Sequence, residues 1–163
     1  TCALPILLGW REAARLPALF LDAVKSMRIG DVSPVLRSAN GIINPSSLDN
    51  ALDAGCGSRP TVVIVSACHS GVFLTPAMRQ PNRVVLTAAA ADRVSFGCGA
   101  GDRFTYYDQC LLQQFDGAAT WSDLAQATRS CVQAQEQRMG VRRPSLPQVF
   151  IGSAVTDLAI PGR

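Results

Sequence analysis

The sequence predicts an α/β domain built on a mostly parallel β-sheet with helices on both faces. The chain has 163 residues, of which 48% are apolar and 17% charged, so it can build a core and is not a disordered chain. Short apolar segments bounded by Pro, Gly or polar residues are typical of buried parallel strands. Helical patterns alternate with these segments, which favours a parallel sheet. The predicted strands are residues 3–8, 61–67, 83–88 and 148–155.

A helix is predicted shortly before the second of these strands. Ser46 or Ser47 can supply the N-cap oxygen, and the helix is expected to run through Ala54 and stop at Gly55.

A longer amphipathic helix is predicted before the last strand. Thr120 followed by Asp123 has the spacing of a capping box, and the helix is expected to reach about Met139. Residues 12–27 and 106–115 are two further predicted helices.

Composition excludes several classes of protein. The net charge of +3 comes from 15 basic and 12 acidic residues that are scattered along the chain. A nucleic-acid-binding surface usually needs a cluster of basic residues, so we expect no nucleic-acid partner. No apolar run approaches the length of a bilayer crossing, so we expect no membrane span. Without linkers or repeats, the chain is expected to form one domain over residues 1–163.

The cysteines favour disulfide bonds over metal binding. None of the six forms a CxxC pair, the short spacing typical of zinc sites, so we expect no metal and no cofactor. Dispersed cysteines suit one or two disulfides in a periplasmic or secreted protein, although buried free thiols are the alternative. We expect one bridge between Cys110 and Cys131, which lie on successive predicted helices. The other cysteines are Cys2, Cys56, Cys68 and Cys98.

Cys68 is the candidate nucleophile. In α/β sheets, sites form beyond the carboxyl ends of the strands, and Cys68 directly follows the strongest predicted strand. Gly71 permits a sharp turn there, in which backbone N–H groups can face a developing oxyanion. A small buried apolar cysteine is the structural alternative.

Three other residues can line a cleft beside Cys68. His69 is the one histidine of the sequence, but adjacent residues that leave a strand point apart, so it is not expected to act as the base. It suits the rim of a pocket or the surface. Ser95 lies in the loop after the next strand. Asp108 opens a helix, where it either faces the cleft or complements the helix dipole.

Four segments occur in an order that points to one peptidase family. They are residues 61–71, 85–96, 105–108 and 150–154. Together they resemble the legumain (asparaginyl endopeptidase) family of cysteine peptidases, especially its bacterial members. The first segment contains a strand that ends in Ala-Cys-His-Ser-Gly, and the resemblance covers residues from about 40 to 157.

The resemblance implies a caspase-like fold and a peptide or protein substrate. It matches Cys68 to the catalytic nucleophile, which forms a thioester with the peptide. It matches His69, Ser95 and Asp108 to the pocket for the residue before the cleaved bond, which the family prefers as Asn or Asp. His69 departs from the family pattern, because eukaryotic members carry an acid there.

The catalytic histidine of the family has no counterpart in the sequence. In the family it belongs to a His-Gly pair that ends an earlier strand, whereas no histidine precedes Cys68. A strand-and-loop section that carries this pair is missing near residues 28–35. A cysteine thiol with its ordinary pKa of about 8.5 is only a few per cent thiolate at neutral pH without a base.

Three hypotheses follow from the sequence. The first is a legumain-like cysteine endopeptidase whose histidine segment lies outside this sequence. The second is a catalytically inactive homologue that binds peptides or proteins. The third is an unrelated α/β domain in which Cys68 is buried.

Overall fold

A computed structural model of the chain describes residues 36–38, 41–97 and 104–160. The strands are β1 (Leu36–Ser38), β2 (Gly41–Ile43), β3 (Thr61–Val65), β4 (Arg83–Thr87) and β5 (Gln148–Ile151). The α-helices are α1 (Pro45–Cys56), α2 (Tyr106–Phe115) and α3 (Trp121–Arg138). The predicted strand at 3–8, the predicted helix at 12–27 and the segment 28–35 lie outside the described residues.

The last three strands form a mixed sheet in the order β3-β4-β5. β3 and β4 are parallel, while β5 runs antiparallel to β4. The predicted α/β class is therefore confirmed, but the described sheet is mixed and not mostly parallel. An apolar segment indicates that a strand is buried, whereas its direction depends on the end of the sheet at which the chain arrives. A caspase-like arrangement with helices on both faces stays a prediction.

The strands are shorter than predicted, and one hairpin was not predicted. β5 ends at Ile151 because the chain turns at Gly152, whose N–H donates to the carbonyl of Arg83 at 2.8 Å. β1 and β2 form an antiparallel hairpin of three residues each before α1.

Helix α1 begins one residue before the predicted capping serines. Asn44 is the N-cap: its Oδ1 accepts the N–H of Ser47 at 2.8 Å, and Ser47 Oγ accepts the N–H of Asn44 at 2.9 Å. The prediction of Ser46 or Ser47 as the cap was wrong, because Pro45 suits the first helical position and places the cap before it. The helix continues to Cys56, whose side chain is buried, and the chain turns at Gly57 with φ 57°.

A buried arginine fastens α1 to the sheet. Arg83, at the start of β4, is 1% exposed. Its Nη1 and Nη2 atoms lie 2.6 Å from carboxylate oxygens of Asp49 and Asp53, which are one turn apart on α1. Two carboxylates satisfy the guanidinium that the core excludes from water, so this pair of ion pairs fixes the helix to the strand.

Helices α2 and α3 pack together and confirm three predictions. Their observed bounds, Tyr106–Phe115 and Trp121–Arg138, match the predicted helices. The predicted disulfide between Cys110 and Cys131 joins them, with 5.6 Å between the Cα atoms. Cys56 is also disulfide-bonded. Buried side chains of the three helices and the sheet form one hydrophobic core. Among the described helices, none has the length and apolar character that a membrane crossing requires.

Candidate active site

Cys68 lies three residues beyond the end of β3 with a half-buried side chain. The backbone N–H of Ser95 donates to its Sγ at 3.2 Å, and the thiol faces the carbonyl oxygen of Ser95 at 3.7 Å. Within the described ranges, Cys68 is the free cysteine.

The ring of His69 is directed to a carbonyl and not to the thiol. Its Nδ1 lies 3.0 Å from the carbonyl oxygen of Ala91. A carbonyl only accepts, so Nδ1 carries the hydrogen in this contact. His69 and Cys68 are both described, and no hydrogen bond joins them. His69 therefore lies beside the site without the contact that a general base needs.

The turn after Cys68 depends on both His69 and Gly71, although the sequence pointed to Gly71 alone. The left-handed backbone conformation falls on His69, with φ 59°. Gly71 is required for space instead, because a Cβ there would lie 2.5 Å from the amide nitrogen of Ala91. The Cys68 segment thus lies directly against the loop after β4.

One backbone donor at the nucleophile is available. The N–H of Cys68 has no hydrogen-bond partner among the residues that the structure describes. In acyl transfer, the N–H of the nucleophile itself is a common oxyanion donor. The participation of Gly71 in an oxyanion hole stays a prediction.

Asp108 is a buried capping residue. It is 5% exposed, and its Oδ2 accepts the hydroxyl of Thr105 at 2.7 Å, while Thr105 Oγ1 accepts the N–H of Asp108 at 3.1 Å. Burial raises the pKa of Asp108 above its ordinary value, and hydrogen bonds from Ser66 and Thr105 oppose this shift.

Two contacts connect this cap to the Cys68 loop. Ser66 Oγ lies 3.5 Å from Thr105 Oγ1, and its hydroxyl also interacts with the carboxyl of Asp108. Ser66 precedes Cys68 by two residues. The carbonyl of Phe96, next to Ser95, accepts the N–H of Tyr106 at 2.9 Å. The structure thus brings Cys68 and Ser95 into contact and places Asp108 beside them through Ser66.

Sequence reasoning missed Ser66 and Thr105. Both are buried, and together they hold the carboxyl of Asp108. The signal was present, because Thr105 and Asp108 have the same capping-box spacing that identified Thr120 and Asp123. Across the described ranges, no three His, Cys, Asp or Glu side chains lie together as a metal site would require.

Comparison with known proteins gives two kinds of similarity. Short stretches resemble bacterial proteins named Chaperone SurA: 58% identity over 33 residues in Thiobacillus denitrificans, 42% over 57 in Methylobacillus flagellatus and 37% over 62 in Nitrosococcus oceani. These matches cover 20%, 35% and 38% of this chain and only 8%, 12% and 14% of the chaperones.

The second similarity covers more than half of the chain. A sequence model described as the Peptidase C13 family matches residues 33–141, which include Cys68, His69, Ser95 and Asp108. At the level of the family, this confirms the resemblance to legumain and supports a cysteine peptidase-like function. The chain belongs to the Peptidase C13 family.

Proposed function

We propose that Cys68 is the nucleophile of a cysteine endopeptidase site that acts on peptide or protein substrates. The observation that carries the proposal is the free, half-buried thiol beyond the end of β3, which accepts the Ser95 N–H at 3.2 Å. Membership of the Peptidase C13 family supports the same role.

In the proposed reaction, the Cys68 thiolate attacks the carbonyl carbon of the scissile bond. The carbonyl oxygen becomes an oxyanion, for which the unpartnered Cys68 N–H is the proposed donor. The C–N bond then breaks, the amine leaves with a proton, and a thioester remains. Water adds to the thioester and releases the acid and the thiol. No described residue supplies the proton from within hydrogen-bond reach of the thiol, so an imidazole from outside this sequence completes the proposed site.

We further propose that the side chain before the cleaved bond, Asn or Asp, binds beside His69, Ser95 and Asp108. The carboxyl of Asp108 is held in place by Thr105, whose hydroxyl donates to Oδ2 at 2.7 Å, and a carboxyl group can bind the side-chain amide of an Asn. The hydroxyl of Ser95 makes no hydrogen bond with another described residue, which leaves it for a ligand.

A second candidate function is peptide binding without turnover. It is favoured by His69, the one histidine of the 163-residue sequence, whose ring is bound to the Ala91 carbonyl. A site without a base retains recognition but loses the factor of about 10²–10⁴ that general base catalysis contributes.

The test uses a fluorogenic peptide with Asn before the reporter, with and without millimolar imidazole. We expect slow cleavage that imidazole accelerates and an acyl adduct on Cys68 in mass spectra. Cys68→Ala abolishes both the adduct and the cleavage.

The outcomes separate the two candidates. Cleavage that survives Cys68→Ala contradicts the endopeptidase proposal. Peptide binding that survives Cys68→Ala, without any adduct in the unmodified chain, supports the binding module. Absence of both binding and adduct contradicts both candidates.

We also propose that the protein is a bacterial one that acts in the periplasm or outside the cell. The disulfide between Cys110 and Cys131 and the disulfide-bonded Cys56 support this, because such bonds persist in oxidising compartments.

A further inference from the structure

We propose that Glu136 on α3 is a positioning residue that holds the Ser95 amide against the Cys68 thiol. It acts through two segments: loop 89–95, which follows β4, and segment 143–145, which precedes β5. The proposal rests on the proposed function only in taking Cys68 as the nucleophile.

Loop 89–95 alternates its contacts between two neighbours. Its odd-numbered residues face the nucleophile segment, residues 68–70. The N–H of Ala89 donates to Ser70 Oγ at 3.1 Å, and the carbonyl of Arg93 accepts the N–H of His69 at 2.7 Å. The Ala91 contact with His69 and the Ser95 contact with Cys68, described above, complete the row. The loop therefore sets where the nucleophile segment lies.

Two even-numbered residues of the loop, Ala90 and Asp92, contact segment 143–145. The N–H of Ala90 donates to the carbonyl of Ser145 at 2.8 Å. Arg143 Nη2 donates to the carbonyl of Asp92 at 3.1 Å and to its Oδ2 at 3.0 Å. Asp92 and Arg143 are both exposed, and exposed ion pairs contribute little. The bond between the half-buried Ala90 and the buried Ser145 is the stronger connection, since it is less exposed to water than the ion pair.

Segment 143–145 is held in turn by Glu136. The carboxylate accepts the N–H of Ser145 with both oxygens, at 3.1 and 3.3 Å. Glu136 is 3% exposed, and it forms no ion pair with any residue the structure describes. A carboxylate buried in this way is unfavourable unless it is hydrogen-bonded, so its orientation towards Ser145 is strongly determined.

The backbone just after segment 143–145 has a constrained conformation. Leu146 follows Ser145 with φ 54°, a conformation that a leucine adopts only where its surroundings impose it. Segment 143–145 also lies beyond the residues matched by the family, which end at 141. In the series of contacts from Glu136 through Ser145 and Ala90 to Ser95, Ser145 is thus the one member outside the matched residues.

The test measures the second-order rate of iodoacetamide alkylation of Cys68, read at that residue by peptide mass spectrometry. This readout needs neither a substrate nor a base, so it can fail independently of the endopeptidase proposal. Glu136→Ala removes the acceptor of the Ser145 N–H and frees loop 89–95. We expect alkylation at pH 7 to slow about three- to tenfold, as the loss of one hydrogen bond to the thiolate predicts. Glu136→Gln retains one acceptor oxygen and restores most of the rate.

Two matched variants control for damage to the fold. Val132→Ala removes buried volume from the same helix and none of the hydrogen bonds named above, so it lowers stability but leaves the alkylation rate unchanged. Ser145→Ala keeps the backbone N–H and carbonyl that bond Glu136 and Ala90, and the hydroxyl that it removes has no hydrogen-bond partner. This variant is therefore also expected to react as the unmodified protein does. The proposal is overturned if folded Glu136→Ala is alkylated as fast as the unmodified protein. It is also overturned if Glu136→Ala and Val132→Ala slow equally, because the loss of stability and not of position would then be the cause.

Discussion

Helices α2 and α3 begin with the same pattern, Thr-x-x-Asp, but only one of the two capping boxes lies at the site. The hydroxyl of Thr105 donates to Asp108 at 2.7 Å, and that of Thr120 donates to Asp123 at 2.8 Å. The backbone N–H of each aspartate donates to its threonine at 3.1 Å. Asp108 is nevertheless buried, whereas Asp123 is exposed.

The difference shows which properties of a cap are local. Hydrogen-bond geometry follows from the four residues alone, and the two boxes share it. The environment of the carboxyl does not, because Ser66 and the chain beyond β3 cover only Asp108. One pattern therefore gives a helix start in α3 and both a helix start and a candidate ligand group in α2.

The largest difference is expected from Thr105→Val and Thr120→Val. Valine removes the hydroxyl and keeps the shape of the side chain. At α2 it removes the shortest hydrogen bond to the buried Asp108, which keeps the backbone N–H of residue 105, and it removes the hydroxyl that Ser66 contacts, so we expect a loss of about 2–4 kcal/mol of unfolding free energy. At α3 the freed groups reach water, and we expect a loss of about 1 kcal/mol. Urea denaturation measures both, and equal losses would show that burial adds nothing to the first box.

A smaller effect is expected on the affinity for peptides. Asp108→Asn changes the proposed pocket, and we expect it to weaken binding of an Asn-containing peptide about tenfold, as for the loss of one hydrogen bond. Asp123→Asn makes the same change in the other box and is expected to leave the affinity unaltered. Fluorescence anisotropy in the Cys68→Ala background avoids turnover. Equal affinities for all three proteins would contradict the proposal that Asp108 lines the pocket.

The smallest effect is a pH dependence of stability. Because the folded pKa of Asp108 lies above its ordinary value of 3.8, its contribution to stability is present below that value and is lost as the pH rises through the raised pKa. Asp108→Asn cannot ionise, so its stability relative to the unmodified protein is expected to increase from pH 4 to pH 8. Subtracting the same profile for Asp123→Asn removes the contribution of a capping carboxylate in general. The prediction is contradicted if the stability of Asp108→Asn relative to the unmodified protein, after this subtraction, stays constant or increases towards acid pH.

The elements predicted well are those with local signals. The bounds of α3 follow from a capping box and apolar spacing, those of α2 from its helical pattern, and the structure has both within a residue of the prediction. The pairing of Cys110 with Cys131 follows from their places on these successive helices. Cys68 was found because a strand end and a following small-residue turn are visible in the sequence.

The features predicted poorly depend on residues far apart in the chain. The antiparallel direction of β5 beside β4 depends on how the whole sheet is assembled. In the sequence, Arg83 has no feature that distinguishes it from other charged residues at a strand start. Its burial is made possible by the two aspartates of α1, which lie far from it in the chain. Glu136 belongs to a helix of polar composition, and its partner Ser145 lies beyond the end of that helix.

The sequence by itself determined the α/β class, the starts of α2 and α3 and the position of Cys68 just beyond β3, because these depend on periodicity and on neighbours within about four residues. Tertiary structure alone decided that Ser95 rather than His69 contacts the thiol, and that Asp108 is buried while Asp123 is exposed. Burial and hydrogen-bond partners are set by segments that meet only when the chain folds. The same four-residue pattern can therefore end with two different chemical environments.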